Sequence, residues 1–73
     1  QHRRADRRCR DLFKVLAGVP RAPDPQGARV LDIGCGGGEL LESARRQFGI
    51  DPTGLDVARY AVKQLEEKGI RAV

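Results

Sequence analysis

The sequence predicts an α/β fold: a leading helix followed by β-α-β-α-β, the N-terminal half of a doubly wound parallel sheet. Three observations carry this. Short branched-apolar runs alternate with stretches of helical periodicity. A cluster of glycines, in VLDIGCGGGELL at residues 30–41, falls where the first such run meets the first of the following helices. The strands are separated by helices of about ten residues, which favours parallel pairing through crossovers over hairpins.

Each element has its own signal. Residues 3–17 place Ala5, Cys9, Leu12, Phe13, Leu16 and Ala17 on one helical stripe, with Arg and Asp on the other face. Gly18 and Pro20 stop that helix, and PRAPDPQG, residues 20–27, is a connector without periodicity. ARVLDI, residues 28–33, suits a strand buried on both faces. From Glu39 the helical period returns: Leu40, Leu41, Ala44 and Phe48 share a face, Glu42, Arg45 and Arg46 point away, and Gly49 ends the helix. A turn is expected at Asp51-Pro52 and a second strand at roughly Thr53 to Val57. Ala58, Ala61, Val62 and Leu65 define the next helix, Gly69 its stop, and residues 70–73 a third strand. The chain thus divides into a basic amphipathic helix at 1–19, a Pro-rich connector at 20–27 and a partial α/β domain at 28–73.

With 73 residues, 33% of them charged and 40% hydrophobic, the composition is that of a soluble globular protein. A chain so short buries only about 60% of its unfolded surface, so its stability is modest. The net charge of +4 is uneven, with residues 1–21 carrying +5 and the remainder −1. Polyanion binding therefore rests on Arg3, Arg4, Arg7, Arg8 and Arg10 alone. No aromatic residues interleave with them to stack bases, so a solvated helix face is the favoured reading and nucleic acid the less favoured one. No apolar run reaches the length of a membrane span. Cys9 and Cys35 match no metal spacing, and free thiols in a reducing, cytoplasmic setting are expected. Cys9 reads as packing and His2, near a chain end, as without a role. Tyr60 could either approach a ligand or cover a helix edge.

The glycines raise the chemical question. A loop at the carboxyl end of a parallel strand must turn sharply and bring its backbone close to a ligand, and residues without Cβ serve both needs. The following helix adds free N–H groups. The dinucleotide fingerprint G-x-G-x-x-G is met by Gly34 and Gly36 but fails at Glu39, and no Walker Lys-Ser or Lys-Thr follows. The pattern present is D-x-G-x-G-x-G: Asp32, Gly34, Gly36, Gly38. An acid there suits a ligand bearing an ammonium group. Asp56, 20 residues beyond Gly36, could accept both hydroxyls of a ribose or cap the helix that follows. Cys35 could be activated as a nucleophile at a helix N-terminus, but it lacks a nearby His and reads as a small loop residue.

VLDIGCGGG followed by GLDVA resembles the class I S-adenosylmethionine-dependent methyltransferases over about residues 28–73, with the leading helix similar to one that often precedes the family's first strand. The resemblance implies an incomplete Rossmann-like methyltransferase fold with S-adenosylmethionine as cofactor. It places Gly34, Gly36 and Gly38 under the methionine part, with Cys35 in the same cofactor-binding set. It puts Asp32 toward the amino group and Asp56 on the ribose. Family members are much longer, and their later strands supply an adenine-binding acid, the substrate pocket and any catalytic residue. The chain is accordingly expected to be part of a larger methyltransferase and inactive alone. It is expected to hold no catalytic residue and no metal, and to serve an unknown methyl acceptor. The rival readings are a nicotinamide-dinucleotide-binding Rossmann domain and a non-enzymatic basic RNA-binding module.

Overall fold

Helical periodicity and branched-apolar runs translate into six elements. The structure, a computed structural model, describes residues 3–73, so the expectation for His2 lies outside the described residues. In chain order the elements are α1 (Arg3–Ala17), β1 (Arg29–Ile33), α2 (Glu39–Phe48), β2 (Asp51–Leu55), α3 (Arg59–Glu67) and β3 (Arg71–Ala72). The strands form one parallel sheet in the order β1-β2-β3, with Ile33 beside Leu55 and Thr53 beside Arg71. The glycine stops act as expected. Gly49 adopts φ 71° and donates its N–H to the Arg45 carbonyl, closing α2. No helix among the described residues is long and apolar enough to cross a membrane.

The second strand departs from expectation, because Asp51 and Pro52 open it instead of forming a turn. Proline normally costs a strand one ladder hydrogen bond. Here Asp51 donates its N–H to Ala28 on the β1 side. Strand N–H groups alternate in direction, so the nitrogen of Pro52 faces the β3 side. Pairing with β3 begins only at Thr53, and the missing proton therefore costs the ladder nothing.

The expectation of a first strand buried on both faces also fails. Val30 and Asp32 are half-buried, whereas Leu31 and Ile33 are 54% and 74% exposed. The three helices contribute to one core cluster (Cys9 from α1, Leu41 and Ala44 from α2, Leu65 from α3, with Ile50 and Ile70 at the strand entries). They therefore cover one side of the sheet and leave the other open. The stripe on α1 is narrower than its sequence implies: Cys9 is buried, Phe13 stacks on Phe48 at 4.4 Å, but Leu12 and Leu16 are largely exposed. A sheet covered on one side makes a test. Leu65→Ala, at a fully buried position, should cost about 2–5 kcal/mol of unfolding free energy by denaturant titration. Leu31→Ala, on the open face, should cost less than about 1 kcal/mol.

Candidate functional site

The sharp turn from β1 into α2 is made by glycines in the left-handed region: Gly34 at φ 73°, Gly36 at 59° and Gly38 at 83°. Side chains rarely adopt this backbone, so the turn is written into the residue type. At Gly34 and Gly36 a Cβ would meet nothing within 4 Å, and both residues line a cavity of about 480 Å³. The same cavity is lined by Asp32 and Cys35, by Glu39 and Leu40 of the first turn of α2, and by Arg4, Ala5 and Arg8 of α1. Four of the six residues singled out in the sequence thus share one surface.

Gly38 and Asp56 lie beyond that lining. Gly38 packs against Leu65, where a side chain would collide with the leucine methyl. Asp56, just past the end of β2, accepts the Gly36 N–H on Oδ2 at 2.9 Å and the Ala58 N–H on Oδ1 at 2.9 Å. These bonds, that from Ala58 first and that from Gly36 second, hold its carboxyl below the ordinary value of 3.8. The helix-cap alternative takes a modified form. Ala58, not Asp56, is the N-cap of α3, and Asp56 binds the N–H of that cap residue two positions on.

The loop is held from below as well. The Leu55 carbonyl accepts both the Gly34 N–H at 2.7 Å and the Cys35 N–H at 3.3 Å. Lys68, at the end of α3, donates its Nζ to the Gly37 carbonyl at 2.8 Å. Gly54 in β2 leaves room for the loop, since a Cβ there would stand 2.7 Å from the Cys35 Sγ. Burial pushes the Cys35 thiol up, and the carboxylates of Asp32 and Asp56 push it the same way. Main-chain hydrogen bonds pull it down by less, so the net direction is upward and a thiolate nucleophile is disfavoured.

Sequence reasoning missed the contribution of α1. The sequence groups Arg4 and Arg8 with a solvated or phosphate-binding face, yet they line the same cavity as the glycine loop. Their i, i+4 spacing puts them on one side of the helix, a signal present in the sequence but without direction until α1 is docked. Lys68 carried no sequence signal at all, and Gly54, although it opens the GLDVA motif, carried none for its packing against Cys35.

Comparison with known proteins follows this geometry. A family described as "Methyltransferase domain" matches residues 1–71. A ubiquinone biosynthesis O-methyltransferase of Bordetella avium is 47% identical over 47 residues, which is 64% of this chain and 19% of that protein. Another, from Xanthomonas axonopodis pv. citri, is 55% identical over 40 residues, 55% of this chain and 16% of that protein. Among solved structures, the X-ray structure of YjhP from E. coli is similar with a TM-score of 0.60 and 33% identity, over 89% of this chain and 27% of that one. The chain spans about a fifth of the length of the curated relatives it matches.

The Asp56 bridge has a pH signature. A carboxyl held low in the folded state lends stability above its unfolded pKa, and that stability is lost as pH falls through the folded value. NMR titration should therefore show the Asp56 carboxyl and the Gly36 amide shifting together, with a midpoint below 3.8. A Gly36 amide indifferent to that titration would contradict the bridge.

Proposed function

The chain belongs to the methyltransferase-domain family, and from that premise we propose that it binds S-adenosylmethionine and supplies the cofactor-binding part of a methyl-transferring enzyme. The observation that carries this reading is the charge arrangement around one cavity, which is lined by Asp32 near the end of β1 and by Arg4 and Arg8 of α1. A ligand with an ammonium and a carboxylate on one carbon, the amino-acid end of the cofactor, matches both signs. The open backbone at Gly34 and Gly36 admits a ligand close to the main chain. Each Asp56 oxygen accepts one N–H and keeps further acceptor capacity, which suits the two hydroxyls of a ribose. When bound, S-adenosylmethionine supplies a methyl group already activated by its sulfonium. The residues of this chain orient it and set the field around it.

A nicotinamide dinucleotide fits less well. Asp32 and Glu39 line the cavity together with Arg4 and Arg8, and a lining of both signs matches a zwitterion better than a doubly negative pyrophosphate. An RNA-binding role has less of the arginine segment to draw on, since Arg4 and Arg8 border the cavity. Cys9 and Cys35 are free thiols on separate elements, in keeping with a reducing, cytoplasmic home. The relatives named above are O-methyltransferases, which makes an oxygen nucleophile the first acceptor class to try.

Calorimetric titration with S-adenosylhomocysteine, the demethylated product, tests the reading directly. Binding is expected, unaffected by excess NAD, and weakened by about tenfold or more in Asp56→Ala, as loss of charge-assisted hydrogen bonds implies. Displacement by NAD, or indifference to Asp56→Ala in a folded variant, would overturn it.

A further inference from the structure

The side chains that hold α1 in place sit next to those that face the cavity. Arg4, Ala5 and Arg8 line the cavity, while Asp6, Cys9 and Phe13 turn toward α2. The apolar part of that contact, Cys9 in the core and Phe13 stacked on Phe48 with an interplanar angle of 7°, is broad and weakly directional. It fixes which face of the helix is covered, and tolerates small rotations better than hydrogen bonds do.

The polar part is directional. Ser43, fully buried on α2, donates its hydroxyl to Asp6 Oδ1 at 2.6 Å and accepts from Gln47 Nε2 at 2.7 Å. Arg46 donates Nη2 to Oδ1 at 2.7 Å and Nη1 to Oδ2 at 3.3 Å, a two-pronged grip on one carboxylate. Gln47 Nε2 also reaches the Asp6 main-chain carbonyl at 3.2 Å. Three residues of α2 therefore converge on one residue of α1, two positions from Arg4 and two from Arg8. A turn of α1 about its axis would break these bonds and swing both arginines off the cavity wall.

We propose that Asp6 is a positioning residue for the ligand. Its contacts to Ser43, Arg46 and Gln47 set the rotation of α1, and through it they present Arg4 and Arg8 to the carboxylate of the bound amino-acid end. This rests on the cofactor reading above. It predicts an effect confined to ligands that carry that carboxylate.

The test compares S-adenosylhomocysteine with 5′-methylthioadenosine, which keeps the adenosine and thioether but lacks the amino-acid end. Both are titrated into the whole chain and into Asp6→Ala, Arg46→Ala, Asp56→Ala, Arg4→Ala/Arg8→Ala and the triple variant that adds Asp6→Ala to that pair. Asp6→Ala should bind S-adenosylhomocysteine about tenfold more weakly, the scale of one charge-assisted hydrogen bond, with methylthioadenosine unchanged. Added to Arg4→Ala/Arg8→Ala, it should weaken binding no further, because the groups it positions are gone. Arg46→Ala should act in the same direction; its side chain is 48% exposed, so it carries the test if Asp6→Ala does not fold. Equal losses for both ligands would make Asp6 a general structural residue and overturn the proposal, as would an unchanged affinity for S-adenosylhomocysteine. Failure of the cofactor reading looks different: the unaltered chain binds neither ligand, or Asp56→Ala binds both as well as the unaltered chain does, and the proposal falls with it.

Discussion

The carboxylate of Asp56 stands between two main-chain N–H groups that belong to different β-α junctions, Gly36 after β1 and Ala58 before α3. A parallel sheet brings the carboxyl ends of β1 and β2 side by side, and this one side chain joins the loops that leave them. An ionised carboxylate accepting main-chain N–H groups makes bonds roughly twice as strong as neutral ones. Gly36 can offer its N–H in that direction because its backbone is left-handed. The Leu55 carbonyl continues the strand ladder into the same loop through Gly34 and Cys35. Every wall of the cavity except that of α1 therefore inherits its position from the junction of β1 with β2.

The α1 wall is held on different terms. The loop is held by its main-chain groups, with Asp56, Leu55 and Lys68 as partners, whereas the helix is held mostly between side chains: a carboxylate, a hydroxyl, an amide and a guanidinium, backed by one aromatic stack. Burying the Ser43 hydroxyl would be costly without partners, and Asp6 and Gln47 are what make its burial tolerable. Polar groups at a helix–helix contact add modestly to stability but strongly to registry, since few arrangements satisfy them all. The site thus has a rigid wall and a docked wall, with acid on the first and arginine on the second.

Much of this was legible in the residues. The limits of α1 and α2, the glycine stops and the order of elements along the chain follow from periodicity and from residues with narrow backbone preferences. The loop motif announced the cavity, because few constraints other than a close ligand call for so many positive-φ positions at one turn. What escaped was set by direction and not by residue type. Pro52 reads as a turn until the side on which its nitrogen falls is known. Leu31 and Ile33 read as core until it is clear that all three helices lie on the other side of the sheet. Arg4 and Arg8 read as solvent-facing because only the docking of α1 decides what their side of the helix meets. Gly54 lies within the strand expected from the sequence, and its use is visible only once Cys35 and Leu65 are packed over it.

The strand order carries a consequence for the history of the molecule. Because β1, β2 and β3 lie in the sheet in the order in which they occur in the chain, each strand on its arrival finds its neighbour already made. The same holds for α2, which meets an α1 completed earlier, and the Gln47 to Asp6 contact spans 41 residues. Among the described elements, none has to be held open for another described element that emerges much later. The topology of these elements suits assembly from the N-terminus onward at the pace of synthesis, with the glycine loop fully held once Leu65 and Lys68 have followed Asp56 out.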